Sequence, residues 1–100
     1  MRKKKVQSES SVILYYSVGD IKSYDLMDVC GKKHLDWKFV DIRDVLFDET
    51  EKRDKLFDDI EDNHITHMPV IYIDNVIQTY YSDNAEDLYN FIIRKIDKKD

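Results

Sequence analysis

The pattern of apolar and polar positions predicts four strands and three helices in the order β-α-β-α-β-β-α. Short runs that are almost wholly apolar or aromatic are typical of strands inside a sheet. Four such segments lie at 11–16, 37–42, 69–73 and 76–79. Asp74 and Asn75 form a two-residue link between the last two segments, which predicts a hairpin turn although the usual glycine is missing.

The first helix is predicted over 21–33 by a broad apolar side. That side comprises Tyr24, Leu26, Met27, and Val29 or Cys30. Gly31 is the expected terminator of this helix.

The other two helices are predicted from capping residues followed by apolar residues. Asp48 with Glu51 resembles a capping box and predicts a helix that buries Leu56, Phe57 and Ile60. Asp83 with Glu86 is a second capping box. Helical spacing then continues through Ala85, Leu88, Tyr89, Ile92 and Ile96.

These elements predict one α/β domain with a four-stranded mixed sheet flanked by helices. Strands joined through a helix run parallel, with a right-handed crossover, whereas the hairpin adds an antiparallel pair. We expect the domain to span 11–97, after a flexible basic and polar tail at 1–10.

Composition narrows the class of partner. The chain has 100 residues, a net charge of -5 and a pI near 5.1, so we expect no nucleic-acid partner. No apolar run approaches the roughly 18 residues of a membrane span, and we expect no membrane partner. A single cysteine cannot form an internal disulfide, which favours the cytoplasm. The basic start leaves the nucleus as the alternative location.

The only proline, Pro69, stands directly before an apolar strand. Proline cannot donate to a sheet ladder, so this position calls for an explanation. The segment from Met68 to Asp74 resembles the Thr-Val-Pro-x-x-Phe-Ile segment of glutaredoxins, whose element order is also the one predicted here. The resemblance implies a thioredoxin-like fold of the glutaredoxin type, a cis proline, and a Met68 backbone that faces the ligand.

The chemistry of glutaredoxins is missing. The place of their Cys-x-x-Cys or Cys-x-x-Ser motif falls on 21–24, which contains no thiol. The chain is more similar to the SH3-domain-binding glutamic-acid-rich protein family, thioredoxin-fold proteins without redox cysteines. The similarity spans about residues 11–96 and rests on Ile21-Lys22-Ser23, Val40-Asp41-Ile42 and Pro69-Val70-Ile71. SH3 binding does not carry over, because one proline cannot make a PxxP ligand.

The remaining candidate residues are interpreted without catalytic chemistry or metal binding. Cys30 lies inside the first helix and is expected to be a small buried hydrophobe. His64 and His67 do not make a metal site, because zinc needs three or four converging ligands. Asp83 places a carboxylate where glutaredoxins hold that of glutathione, and Val18 replaces a lysine often found there, so glutathione binding is expected to be weakened.

We therefore predict a redox-inactive protein that binds a protein or peptide, with no catalytic residue, metal or cofactor. The predicted binding surface, called here the cis-proline groove, comprises Ser17, Ile21, Lys22, Ser23, His67, Met68, Pro69, Asp83 and Asn84. One alternative is a glutathione-binding or weak thiol-transfer protein. Another is an acidic structural subunit of an assembly that uses its edge strand or the Tyr80–Tyr81 face. The sequence names neither the protein partner nor the oligomeric state.

Overall fold

The computed structural model describes residues 11–48, 50–82 and 84–97. Within them the chain forms four strands and four helices. The elements are β1 (Val12–Tyr16), α1 (Ile21–Lys32), β2 (Lys38–Asp41), α2 (Ile42–Asp48), α3 (Thr50–Asp62), β3 (Val70–Ile73), β4 (Val76–Ile77) and α4 (Ala85–Asp97). The predicted tail at 1–10 and the predicted cap Asp83 lie outside the described residues.

The sheet is mixed and has the strand order β2-β1-β3-β4. β1 runs parallel to β2, with Leu14 opposite Phe39. β3 runs antiparallel to β1, with Leu14 also opposite Ile71, and β4 returns antiparallel to β3. The prediction of a four-stranded mixed sheet flanked by helices is confirmed at this level.

The hairpin between β3 and β4 turns at the predicted residues. Asp74 and Asn75 both have positive φ, 52° and 70°, as the two central residues of a type I′ turn require. The backbone N–H of Asp74 donates to the carbonyl of Ser11 at 2.8 Å, and the N–H of Ser11 donates to Asp74 Oδ1 at 2.8 Å. Asp74 therefore also ties the turn to the start of β1.

Side chains on the two faces of the sheet enter separate apolar clusters, because successive strand residues point to opposite sides. One cluster joins the sheet to α1 and α4, and consists of Val12, Leu14, Leu26, Cys30, Ile71, Ile73, Ala85, Leu88 and Ile92. The other joins it to α2 and α3, and consists of Ile42, Val45, Leu56, Val70 and Tyr72. The sheet is thus covered on both faces.

The second helical region differs from the prediction. The helix predicted to follow Asp48 is present as α3, but an additional helix, α2, precedes it, beginning at Ile42 and ending at Asp48. The reason lies in Asp41, whose Oδ1 accepts the backbone N–H of Arg43 at 2.9 Å and so satisfies a donor of the first turn. The predicted strand at 37–42 is correspondingly shorter.

The buried side of α3 is narrower than predicted. Leu56 is buried and Ile60 packs against its cluster, but Phe57 is 46% exposed. Leu56 and Ile60 are four residues apart and share one face, whereas Phe57 lies about 100° around the helix axis from Leu56. The prediction of a buried Phe57 is wrong.

Histidines, not Gly31, mark the ends of α1 and α3. Gly31 lies inside α1, and His34 takes the left-handed conformation with φ 58°. The N–H of Leu35 donates to the carbonyl of Cys30 at 2.9 Å and that of His34 to Gly31 at 3.3 Å, which is a Schellman motif.

The same arrangement ends α3. His64 has φ 56°, the N–H of Ile65 donates to Ile60 at 2.9 Å, and that of His64 donates to Glu61 at 3.2 Å. Residues in the left-handed conformation at helix ends are usually glycine. Histidine takes that conformation at both of these helix ends, so the positions of the glycines could not locate them.

Candidate functional site

The loop between β1 and α1 forms one side of the site. Gly19 has φ 92°, a conformation that suits glycine, and the N–H of Asp20 donates to the carbonyl of Ser17 at 3.1 Å. Asp20 is the N-cap of α1, and its Oδ2 accepts a hydrogen bond from Ser23 Oγ. Ser23 is fully buried, so its side chain faces the interior and not the surface of the cis-proline groove.

The segment before β3 approaches this loop. The Met68–Pro69 peptide bond is cis, as the resemblance implied, and Pro69 is buried. β1 and β3 pair Tyr15 with Val70. Met68 and Pro69 directly precede Val70, so they lie just beyond this last pair, as Ser17 does on the other strand.

Tyr80 connects this segment to the rest of the site. Its hydroxyl donates to the carbonyl of Pro69, and its ring lies 4.5 Å from the ring of His67 and 5.5 Å from that of Phe91, measured between centroids. Burial first, and the charge of Asp20 second, raise the pKa of the Tyr80 hydroxyl, so it stays a donor at neutral pH. Tyr80 is half-buried and is not part of an exposed Tyr80–Tyr81 face.

The ring of His67 packs against the ring of Tyr80. Its Nδ1 is buried and finds no hydrogen-bond partner among the residues that the structure describes. His67 therefore contributes a ring wall beside Met68.

Lys22 closes the site toward α4. Its Nζ donates to the carbonyl of Ser82 at 2.8 Å and contacts Ser82 Oγ at 3.3 Å. Asn84 is the N-cap of α4, since its Oδ1 accepts the N–H of Asp87 at 2.9 Å. The cap was predicted at Asp83.

Exposed apolar residues lie next in sequence to the two residues of the Lys22–Ser82 contact. Ile21 directly precedes Lys22 and is 72% exposed, and Tyr81 directly precedes Ser82 and is 85% exposed. Val18, in the loop that leads to α1, is 59% exposed. The contact brings the segments that carry them to one part of the surface.

The thiol of Cys30 does not reach this surface. Cys30 is buried in the α1–α4 cluster, and burial raises the pKa of its thiol from 9.0 to about 11. A thiol in that state forms almost no thiolate at neutral pH, and the thiolate is the reactive form. The expectation of a buried Cys30 is confirmed.

Of the nine residues predicted for the cis-proline groove, Ser23 is buried, Asp83 lies outside the described residues, and Asn84 caps α4. Contacts link the segments of the other six, but they run through two residues that the sequence did not single out, Asp20 and Tyr80. Asp20 could have been found, because aspartate directly before a helical pattern is an N-cap signal. No local signal marks Tyr80, whose role depends on tertiary contacts.

Within 11–48, 50–82 and 84–97, no three His, Cys, Asp or Glu side chains converge as ligands for a metal ion. Over the same ranges, no helix has the length and apolarity needed to cross a bilayer.

Neither models of protein families nor curated proteins show a significant match to the sequence.

Proposed function

We propose that this chain is a redox-inactive, thioredoxin-like protein of the glutaredoxin type that binds an extended protein segment at the cis-proline groove. The observation that carries the proposal is the exposed Ile21 at the start of α1, where the resemblance would place a thiol. The strand order β2-β1-β3-β4 and the helices on both faces support the fold assignment.

Apolar contact is the chemistry that this surface offers. Fully burying an exposed valine or isoleucine contributes about 1.5–3 kcal/mol. Ile21, Val18 and Tyr81 could each supply part of this amount to a partner that covers them. Association itself costs several kcal/mol, so the expected complex is a transient one.

The backbone of the groove gives an extended partner something to pair with. β3 begins at Val70, and Ser17 and Met68 lie beyond the last paired residues of β1 and β3. A peptide laid across this point can take up backbone groups by strand addition, while its side chains meet the apolar rim.

Thiol chemistry is the weaker reading. The sole thiol is buried with a raised pKa, and the head of α1 has no nucleophile to benefit from the helix dipole. Glutathione binding without turnover remains the first alternative, and glutathione serves as a ligand in the tests. No enzyme activity is proposed.

The second candidate, a subunit of an assembly, rests on β4. This edge strand has two residues, and Val76 is 58% exposed. An exposed strand edge is a template for pairing with another chain.

A matched pair of substitutions tests whether a partner binds at the cis-proline groove or at the β4 edge. Val18→Glu and Val76→Glu introduce the same charge at positions of nearly equal exposure, 59% and 58%, one beside the groove and one on the edge strand. Peptides selected from a random displayed library against the unmodified protein would be measured with both variants. Groove binding predicts that Val18→Glu weakens the affinity by about tenfold or more, equivalent to about 1.4 kcal/mol.

The control and the contrary outcome follow from the same measurement. Val76→Glu should leave the affinity within about twofold, well under 1 kcal/mol. Loss of binding with Val76→Glu alone would replace the groove by the β4 edge. Competition by glutathione would show that the peptide and glutathione share the site.

A further inference from the structure

A second pocket opens between α3 and the sheet and shares no residue with the cis-proline groove. Its volume is about 220 Å³. β1 contributes Ile13 and Tyr15, β3 contributes Tyr72, and α3 contributes Lys52, Lys55 and Leu56.

The aromatic walls of this pocket are held in place. The rings of Tyr15 and Tyr72 meet edge to face, with centroids 5.8 Å apart and planes at 84°. Tyr72 is buried, and its hydroxyl donates to Asp59 Oδ2 at 2.6 Å. Hydrogen bonds from Lys55 and then from Tyr72 hold the pKa of Asp59 below 3.8, so this carboxylate stays charged and keeps accepting at neutral pH.

Two ammonium groups lie at the same pocket. Lys52 and Lys55 are three residues apart on α3 and therefore project to one side of the helix. Lys55 Nζ lies 2.7 Å from Asp59 Oδ2 and 5.4 Å from the centroid of the Tyr72 ring. Among the described residues that line the pocket, Lys52 and Lys55 are the charged ones, and the ion pair with Asp59 holds Lys55 beside the Tyr72 ring.

We propose that this pocket binds a small planar aromatic carboxylate. The ring would lie on the apolar floor against Tyr15 and Tyr72, where aromatic faces and edges give favourable contacts. The carboxylate would meet Lys52 and Lys55, and such charge-assisted contacts are stronger than neutral ones. The volume of about 220 Å³ lies below the roughly 300–1,000 Å³ of pockets for drug-sized ligands, which limits the ligand to one or two fused rings.

The probe is naphthoate, titrated into isotope-labelled protein while the ring signals of Tyr15 and Tyr72 are followed by NMR. The proposal predicts saturable shifts at both rings with a Kd below about 1 mM. Naphthamide has the same shape without the charge, and cyclohexanecarboxylate has the charge without the aromatic ring. Each should bind at least about threefold more weakly than naphthoate, a difference of roughly 0.65 kcal/mol.

Lysine variants assign the charge. Lys52→Gln and Lys55→Gln should each weaken naphthoate binding by about two- to fivefold, the range expected for partly exposed ion pairs. Lys95→Gln changes an exposed lysine on α4, which covers the opposite face of the sheet from α3, and should leave the affinity unchanged. Melting curves of all three variants establish that they remain folded.

Several outcomes would overturn the proposal. They are the absence of saturable shifts at Tyr15 and Tyr72, equal binding of naphthamide or of cyclohexanecarboxylate, and an equal loss of affinity in Lys95→Gln. Shifts confined to Met68 and Ile21 would assign naphthoate to the cis-proline groove and leave this pocket without a ligand.

Discussion

Ile92→Ala should destabilise the protein more than most single substitutions, because Ile92 is fully buried. It lies on α4 in the cluster with Leu14, Ile71 and Leu88, which are also fully buried. The substitution removes three carbon atoms, which at about 0.8 kcal/mol per buried methylene costs about 2.4 kcal/mol in lost transfer free energy. The cavity left behind adds to this, so the expected total is about 2–5 kcal/mol.

Urea denaturation measures this cost directly. For a domain with a free energy of unfolding of about 5–15 kcal/mol, the midpoint should fall clearly while the slope of the transition stays unchanged. Ile21→Ala is the matched control, since it makes the same change at a helical position that is 72% exposed, and it should alter the stability by less than about 0.5 kcal/mol. A cost below about 1 kcal/mol for Ile92→Ala would show that α4 does not pack on the sheet as described.

Three further predictions concern the end of α3, the pKa of Asp59 and thiol chemistry at the start of α1. His64→Gly should raise the free energy of unfolding by about 0.5–1 kcal/mol in urea denaturation, because glycine adopts the left-handed conformation without a Cβ clash, and a lower midpoint would contradict this. Hydrogen bonds from Lys55 and Tyr72 lower the pKa of Asp59, so the stabilisation that they give is present above pH 3.8 and is lost as the pH falls below it. Tyr72→Phe should reduce this loss of stability in acid denaturation, and an unchanged profile would refute the link between this hydrogen bond and acid stability. The protein should not reduce a glutathione mixed disulfide in a coupled assay, whereas Ile21→Cys should gain measurable turnover, and turnover by the unmodified protein would contradict the proposed redox inactivity.

Strong periodicity and turn chemistry made parts of the fold predictable from sequence. Leu88 and Ile92 follow helical spacing and are both fully buried on α4. Asp74 and Asn75 tolerate positive φ, and they form the predicted turn. In these places local preference and tertiary packing favour the same structure.

Other parts were missed because a local signal was not used. A helix follows Asp48 as predicted, but Asp41 caps an additional helix, α2, through the N–H of Arg43. The sequence contained that signal, since Asp44 also lies in the first turn of α2. Phe57 was assigned to the buried side because apolar character alone does not show how wide the covered face of a polar helix is.

The candidate site, too, could be predicted from the sequence in some parts and not in others. The resemblance located Ile21 and the cis Pro69, which lie at a helix start and before a strand and so have fixed positions in the order of elements. The contacts of Tyr80 with Pro69 and His67 join segments that are distant in sequence, and spacing rules do not reach that far. Ser23 is buried, and its hydroxyl donates to the nearby Asp20, whereas the sequence alone placed it on the surface of the groove.

Amide chemical-shift mapping of the isotope-labelled protein with a selected peptide is the most direct test of binding at the cis-proline groove. Groove binding predicts the largest saturable changes at Ser17, Ile21 and Met68, which border the place where β1 and β3 stop pairing. Changes confined to Val76 and Ile77 on β4, with the groove residues silent, would contradict it.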